Sequence, residues 1–290
     1  MKTKAPNNAP WHHRGLMAVL FGHFLGLAGC AQLPEGSVRR ERATALAVSQ
    51  GWGPLTWVAG GFTLQGFVAP EPVAGRPLVL FIEGDGLAWL TPTTPALDPT
   101  PLTPVALQLA LAHRGGPAAY LGRPCQYRLA ESPACQERHW TQDRFGPEVI
   151  AATQSVIDQI KSRTGAQRLV LVGYSGGGAV AALAASERRD VVGLITVAGN
   201  LDHQAWTRFH RLTPLSGSLN AATQAWRLSH IKQWHVVGGR DTVMPPMLAH
   251  QWPQAFTGIG LSRLQVVPEA DHACCWAQRW PAIWAAFEAP

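Results

Sequence analysis

Apolar residues fall along this chain in short runs separated by glycine-rich or polar punctuation, and the runs are of two kinds. Leu78–Ile82, Ala118–Leu121, Gln167–Val172, Val191–Val197, Trp234–Val237 and Leu264–Val267 are brief and rich in Val, Ile and Leu, as expected of strands covered on both faces. Longer stretches with helical character lie between them. Val105–Ala112 and Ala179–Glu187 are rich in Ala and Leu, Glu148–Ser162 sets Val149, Ile150, Val156 and Ile160 on one face, and Trp276–Phe287 closes the chain. Trp57–Val68 alternates apolar with small residues around Gly60-Gly61, which predicts an antiparallel hairpin at a sheet edge. Thr91–Pro104 carries Pro92, Pro95, Pro99, Pro101 and Pro104, so it predicts a surface loop. Strands alternating with helices predict the α/β class: a mostly parallel central sheet with helices on both faces, and a site outside the carboxyl ends of its strands.

One strand end stands out. The run Leu169–Val172 leads into Gly173-Tyr174-Ser175-Gly176-Gly177-Gly178 and then into the Ala-rich helix. Strand, tight turn and helix give Gly-x-Ser-x-Gly a mechanical meaning: the serine sits on a strained elbow, and small residues let strand and helix approach. The hydroxyl of Ser175 then stands above the sheet. The Gly176 N–H lies at a positive helix end, suited to a developing oxyanion.

Two other strand ends carry groups that a serine nucleophile requires. Asp241 follows Trp234–Val237 in Gly238-Gly239-Arg240-Asp241, and His272 follows Leu264–Val267 in Pro268-Glu269-Ala270-Asp271-His272. A hydroxyl is a poor nucleophile unless an imidazole takes its proton, and a carboxylate must hold that imidazole in the right tautomer. Glu269 and Asp271 are rival acids; Asp271 would have to fold back to reach the neighbouring ring. His210, His230, His235 and His250 read as surface or core residues.

With Ser175, Asp241 and His272 in that order on successive strand-end loops, the chain resembles the α/β-hydrolase superfamily from about Trp57 to its end. The resemblance implies a Ser-Asp-His triad that needs no cofactor or metal. It also implies a second oxyanion N–H from the loop after Leu78–Ile82. Here that loop reads Glu83-Gly84-Asp85-Gly86, where many esterases have His-Gly, so the donor expected is Asp85, with Gly86 next. Glu83 and Asp85 read either as a solvated turn or as acids at the mouth that disfavour anionic substrates. Asn200–Arg227 stands where the superfamily inserts its lid, and its shortness predicts a minimal cap and an open site. Trp89, Trp206 and Trp226 are candidates for an apolar pocket or simply for the core.

The beginning of the chain has a different character. Lys2, Lys4 and Arg14 precede an apolar run from Leu16 to Leu27 that is short for a bilayer span, and Leu27-Ala28-Gly29-Cys30 follows. This resembles a bacterial lipobox, which implies a signal peptide over 1–29, acylation of Cys30, a tether or short helix over 30–52 and a catalytic domain over 53–290. A lipid anchor of this kind implies the cell envelope, with Ala31 after the cysteine leaning toward the periplasmic face of the outer membrane. The net charge of +6 falls to +3 once 1–29 is removed, leaving 21 basic against 18 acidic residues, and no basic run marks a nucleic-acid partner. Export favours disulfides over metal binding: Cys125 and Cys135 flank a polar loop and form the natural pair, while adjacent Cys274 and Cys275 are read as a vicinal disulfide, as free thiols or as partners of the first two.

These readings converge on an exported serine hydrolase of carboxylic esters working through an acyl-enzyme, its substrate a small-molecule or polymer ester. A peptidase or acyltransferase on the same three residues is the nearest alternative. A non-catalytic envelope lipoprotein that keeps the fold is the alternative of another class.

Overall fold

The computed structural model describes residues 33–289 apart from 72, 74, 128–131, 251 and 253–260. The leader and Cys30, on which the lipoprotein reading falls, lie outside the described residues. Residues 34–290 form a compact unit. It opens with helix α1 (Gly36–Ser49), and the hairpin strands β1 (Gly53–Ala59) and β2 (Phe62–Val68) follow, with β1 at the sheet edge as expected. Strands β3 (Leu78–Ile82), β6 (Ala118–Leu121), β7 (Leu169–Tyr174), β8 (Val191–Val197), β9 (Lys232–Gly238) and β10 (Ser262–Val267) complete an eight-stranded sheet in the order β1-β2-β6-β3-β7-β8-β9-β10. From β6 to β10 every pairing is parallel, so the carboxyl ends of β3, β7, β9 and β10 share one edge.

The period-2 pattern of these strands divides the core between two faces. Leu78, Leu80 and Ile82 of β3 and Leu169 and Leu171 of β7 pack on the side of α3 (Pro147–Thr164) and α4 (Gly176–Ser186). Val79, Phe81, Val170 and Val172 pack on the opposite side, against α2 (Val105–Ala112) and the closing helix α7 (Trp276–Glu288), which follows the single-turn helix α6 (Pro246–Ala249) in the chain. Both faces are thus apolar along one strand, which is why these runs read as continuous rather than alternating. Helix α7 buries Trp276, Trp280, Ile283 and Phe287, a spacing that keeps one stripe on the sheet.

Two stretches gain detail from the structure. The residues expected as a tether or short helix form α1, which buries Arg39, Ala43 and Ala47 at four-residue spacing, and the Arg39 guanidinium donates to the carbonyls of Thr100 and Asp98. The compact unit therefore begins well before residue 53. The proline-rich loop contains a small hairpin, β4 (Trp89–Thr91) with β5 (Thr94–Pro95), and its far end turns inward, burying Thr100, whose hydroxyl accepts the Tyr127 N–H. Among the described residues no helix is long and apolar enough to cross a membrane.

Candidate active site

Ser175 joins β7 to α4 with φ 51° and ψ −122°, a positive φ that a non-glycine residue adopts only when its surroundings force it. Three backbone bonds do the forcing. The Ser175 N–H donates to the Val197 carbonyl, and its own carbonyl accepts from Gly178 and Asn200. The turn also depends on close approach: a Cβ on Gly177 would stand 2.3 Å from the Ile82 carbonyl oxygen. Strand β3 and the elbow are pressed together backbone to backbone at that point.

The structure brings Ser175, His272 and Asp241 together. Ser175 Oγ lies 3.0 Å from His272 Nε2, and His272 Nδ1 lies 2.8 Å from Asp241 Oδ2. The Asp241 side chain is fully buried, and its other oxygen accepts the N–H groups of Val243 and Met244 at 2.8 and 2.7 Å. One carboxylate oxygen is thereby occupied and the other is aimed at the ring, which fixes Nδ1 as a donor and leaves Nε2 to accept from Ser175. The His272 carbonyl is held by the Tyr174 hydroxyl and the Trp276 indole N–H, so the ring's backbone is pinned from β7 and α7. Neither rival acid reaches the ring. Asp271 caps its own turn through the N–H groups of Ala273 and Cys274, and Glu269 pairs with Arg279. Nor does a rival histidine: buried His235 bonds Thr196 and Gln233, and burial pushes its pKa down to about 3.

The loop after β3 lies against the elbow, where a Cβ on Gly84 would come within 3.3 Å of Ser175 Cβ. Gly176 opens α4 and has no intrahelical acceptor for its N–H. Asp85 and Gly86 N–H groups also make no hydrogen bond among the described residues, whereas Gly84 N–H donates to Glu83 Oε1. Gly86, with φ 66°, lies so close to the Pro99 carbonyl that a side chain would overlap it.

The acids of this loop are not a solvated turn. Glu83 is 1% exposed. Asp85 packs its carboxylate against Gly176, where a Cβ would lie 2.0 Å from Oδ1. A bare carboxylate beside the Gly176 N–H would oppose any negative charge placed against that N–H. Here Arg123 and Arg144 meet it at 3.2 and 2.8 Å. Burial pushes the Asp85 pKa up, but the two guanidiniums outweigh it and hold the group below the ordinary carboxylate range. Two cations thus face one anion, so the expectation that Asp85 repels anionic substrates loses its basis. Arg123 and Arg144 carried no motif in the sequence; a buried partner for Asp85 emerges only when the loops after β6 and before α3 meet.

The three residues open onto a cleft of about 610 Å³ whose apolar wall includes Leu87, Trp89, Leu102, Trp206 and Met244. Trp89 and Trp206 are thus pocket residues, whereas Trp226 is 66% exposed and lies outside the cleft. The segment expected as a cap does two jobs. Helix α5 (His203–His210) borders the cleft through Trp206, whose indole N–H donates to the Val243 carbonyl. The 3₁₀ turn Ala221–Leu228 buries Ala221, Ala225 and Leu228 in the core cluster that also holds α4. Cys125 and Cys135 are bonded, with Cα atoms 5.5 Å apart, and Cys274 and Cys275 are bonded to each other. Among the described residues no group of three or more His, Cys, Asp or Glu is placed to hold a metal ion.

No protein-family model matches the sequence, and no curated protein matches it. Solved structures do. Est1E from Butyrivibrio proteoclasticus is 13% identical, with a TM-score of 0.56 over 81% of this chain and 97% of its own. The Pyrococcus furiosus esterase Pf2001 is 11% identical, with a TM-score of 0.57 over 83% of this chain and 91% of its own. Pyrococcus horikoshii acylaminoacyl peptidase is 12% identical, with a TM-score of 0.57 over 82% of this chain and 41% of its own. These likenesses and the eight-stranded, mostly parallel sheet show that the chain has the α/β-hydrolase fold.

Proposed function

We propose that this protein is a serine hydrolase that cleaves carboxylic esters through an acyl-enzyme. The observation that carries the reading is the continuous hydrogen-bonded line from Ser175 Oγ through the His272 ring to Asp241. Its three members come from the ends of three different strands, and a scaffold has no need of that convergence. In the first step His272 Nε2 takes the Ser175 proton as Oγ attacks the ester carbonyl carbon. The carbonyl oxygen becomes an oxyanion facing Gly176 N–H and Asp85 N–H, with Gly86 N–H adjacent. Asp241 holds the imidazolium that forms. Collapse expels the alcohol, which leaves with the proton from His272. Water then attacks the acyl-enzyme by the same route and frees the acid and Ser175. A positioned base contributes about 10²–10⁴ in rate, and an oxyanion donor about 10²–10³.

The open, largely apolar cleft fits an uncharged acyl group and no interfacial gate. The structural likeness to two esterases supports ester substrates, and that to an acylaminoacyl peptidase keeps amide cleavage as the rival on the same triad. The test is turnover of p-nitrophenyl acetate and butyrate by the wild-type protein and by Ser175→Ala. Ester hydrolysis abolished in the variant supports the reading; equal turnover by both proteins removes Ser175 from the mechanism.

Export and lipid anchoring at Cys30 belong to the same proposal and rest on Lys2, Lys4, Arg14, the Leu16–Leu27 run and Leu27-Ala28-Gly29-Cys30. Radiolabelled palmitate should enter the protein in a bacterial host and fail to enter Cys30→Ser. Equal labelling of both would refute acylation at that cysteine.

A further inference from the structure

Glu83 is the buried acid that the triad does not use, and it stands at the foot of the loop that carries the second oxyanion donor. Its Oε1 accepts the N–H of Gly84 at 3.0 Å and the N–H of Ala106, in the first turn of α2, at 3.3 Å. Its Oε2 accepts the Tyr120 hydroxyl at 3.1 Å, and the Tyr120 and Tyr127 hydroxyls are 2.9 Å apart. The Tyr120 side chain of β6 and backbone N–H groups of Gly84 and of the start of α2 therefore meet at the carboxyl group that follows β3, and Tyr127 joins through Tyr120.

We infer that Glu83 is a positioning residue for the oxyanion loop: its carboxylate ties Gly84 to α2 and thereby presents the Asp85 N–H to the substrate oxygen at Ser175. The inference rests on the serine-hydrolase reading and adds a group that the triad chemistry does not demand.

Counting donors shows why the ionised form is the one that holds. With a carboxylate, Gly84 and Ala106 donate to Oε1, Tyr120 donates to Oε2 and Tyr127 donates to Tyr120, so each hydroxyl has an acceptor. With a proton on Oε2 the direction reverses. Glu83 donates to Tyr120, Tyr120 donates to Tyr127, and the Tyr127 hydroxyl is left with no acceptor among the described residues. A buried, unpaired hydroxyl is unfavourable, so protonation of Glu83 weakens the network of which the Gly84 bond is a part. Titratable and charged groups reach Glu83 from three sides: Tyr120 on β6, Tyr127 and Arg123 after it, and Tyr174 on β7, with Asp85 on its own loop. The first turn of α2 offers backbone N–H groups. Burial pushes the Glu83 pKa up to about 7 against the pull of its hydrogen bonds, so the two arrangements exchange in the neutral range.

A glutamine at this position mimics the protonated form, since its amide donates to Tyr120 while its oxygen keeps Gly84 and Ala106. The test is kcat/KM for p-nitrophenyl butyrate from pH 5 to 9 in wild type, Glu83→Gln and Tyr120→Phe. Wild type should show a rise of about tenfold in kcat/KM near pH 7, following the ionisation of Glu83. Glu83→Gln should match wild type at acid pH and fall about tenfold below it at alkaline pH, chiefly in kcat. Tyr120→Phe, which removes one donor from the carboxylate, should move the step to higher pH. A wild-type to Glu83→Gln ratio that is constant with pH, or a step unmoved by Tyr120→Phe, overturns the inference while leaving the hydrolase reading intact. Loss of all Ser175-dependent turnover in wild type would remove both.

Discussion

Replacing Asp241 by asparagine isolates the orienting role of the acid from its contribution to folding. The Asp241 side chain is fully buried, with Oδ1 accepting two backbone N–H groups and Oδ2 facing His272 Nδ1. Those two N–H groups dictate the orientation of an amide put there: its oxygen must stay on Val243 and Met244, so its NH₂ faces His272. The ring is then forced to accept at Nδ1 and to carry its proton on Nε2, where Ser175 needs an acceptor. The nucleophile loses its base while nearly every heavy atom stays in place. A tautomer error of this kind costs about 10⁴ in kcat, or roughly 5.5 kcal/mol of transition-state stabilisation. Stability should change little, because the buried donors keep a partner. Asp241→Ala, by contrast, leaves both N–H groups unpaired and should lose about 1–3 kcal/mol of stability as well. The assay is steady-state hydrolysis of p-nitrophenyl butyrate beside thermal and urea denaturation of each variant. Asp241→Asn within tenfold of wild type would refute the assigned role of this carboxylate.

Further consequences follow from other parts of the molecule. Glu83 has its folded-state pKa raised from 4.5 to about 7, so the folded protein holds a proton there that the unfolded chain releases. The associated stability is fully present below pH 4.5 and is lost as pH rises through about 7, amounting to about 3 kcal/mol; urea denaturation at pH 5 and 8 should show that decline in wild type and not in Glu83→Gln. Gly177→Ala drives a methyl into the carbonyls of Ile82 and Glu83 and should cost about 1–3 kcal/mol and most of the activity; a normal denaturation midpoint would contradict the tight elbow. The Cys125–Cys135 bond closes a ten-residue separation, and the double serine variant should lose about 2–3 kcal/mol by denaturation under non-reducing conditions, against no change if the bond does not form.

Much of this architecture was legible in the chain because the relevant signals are local. The strands ending at Ile82, Val197, Gly238 and Val267 are built on short apolar runs, and the elbow at Ser175 is a contiguous motif. The order Ser175, Asp241, His272 could be read because each follows its own strand. What could not be read depends on distant partners. Arg123 and Arg144 become the counterions of Asp85 only through tertiary packing, and nothing near Glu83 in sequence announces that Tyr120 and the start of α2 enclose it. The polar stretch Glu35–Val48 reads equally as a tether or a short helix because its buried stripe is mostly alanine, and the anchor that docks the helix, Arg39 reaching Thr100, is a distant contact. Trp226 reads as a pocket or core residue by composition, yet its position on the outer side of a 3₁₀ turn leaves it in solvent beside Arg227.

The central claim is that Ser175 is an activated nucleophile. Intact-protein and peptide mass spectrometry after brief exposure to a fluorophosphonate probe measures that directly. One adduct on Ser175 is expected, formed rapidly in wild type, slowly in Asp241→Asn and not at all in Ser175→Ala. No adduct on folded wild-type protein, or an adduct on another serine, would contradict it.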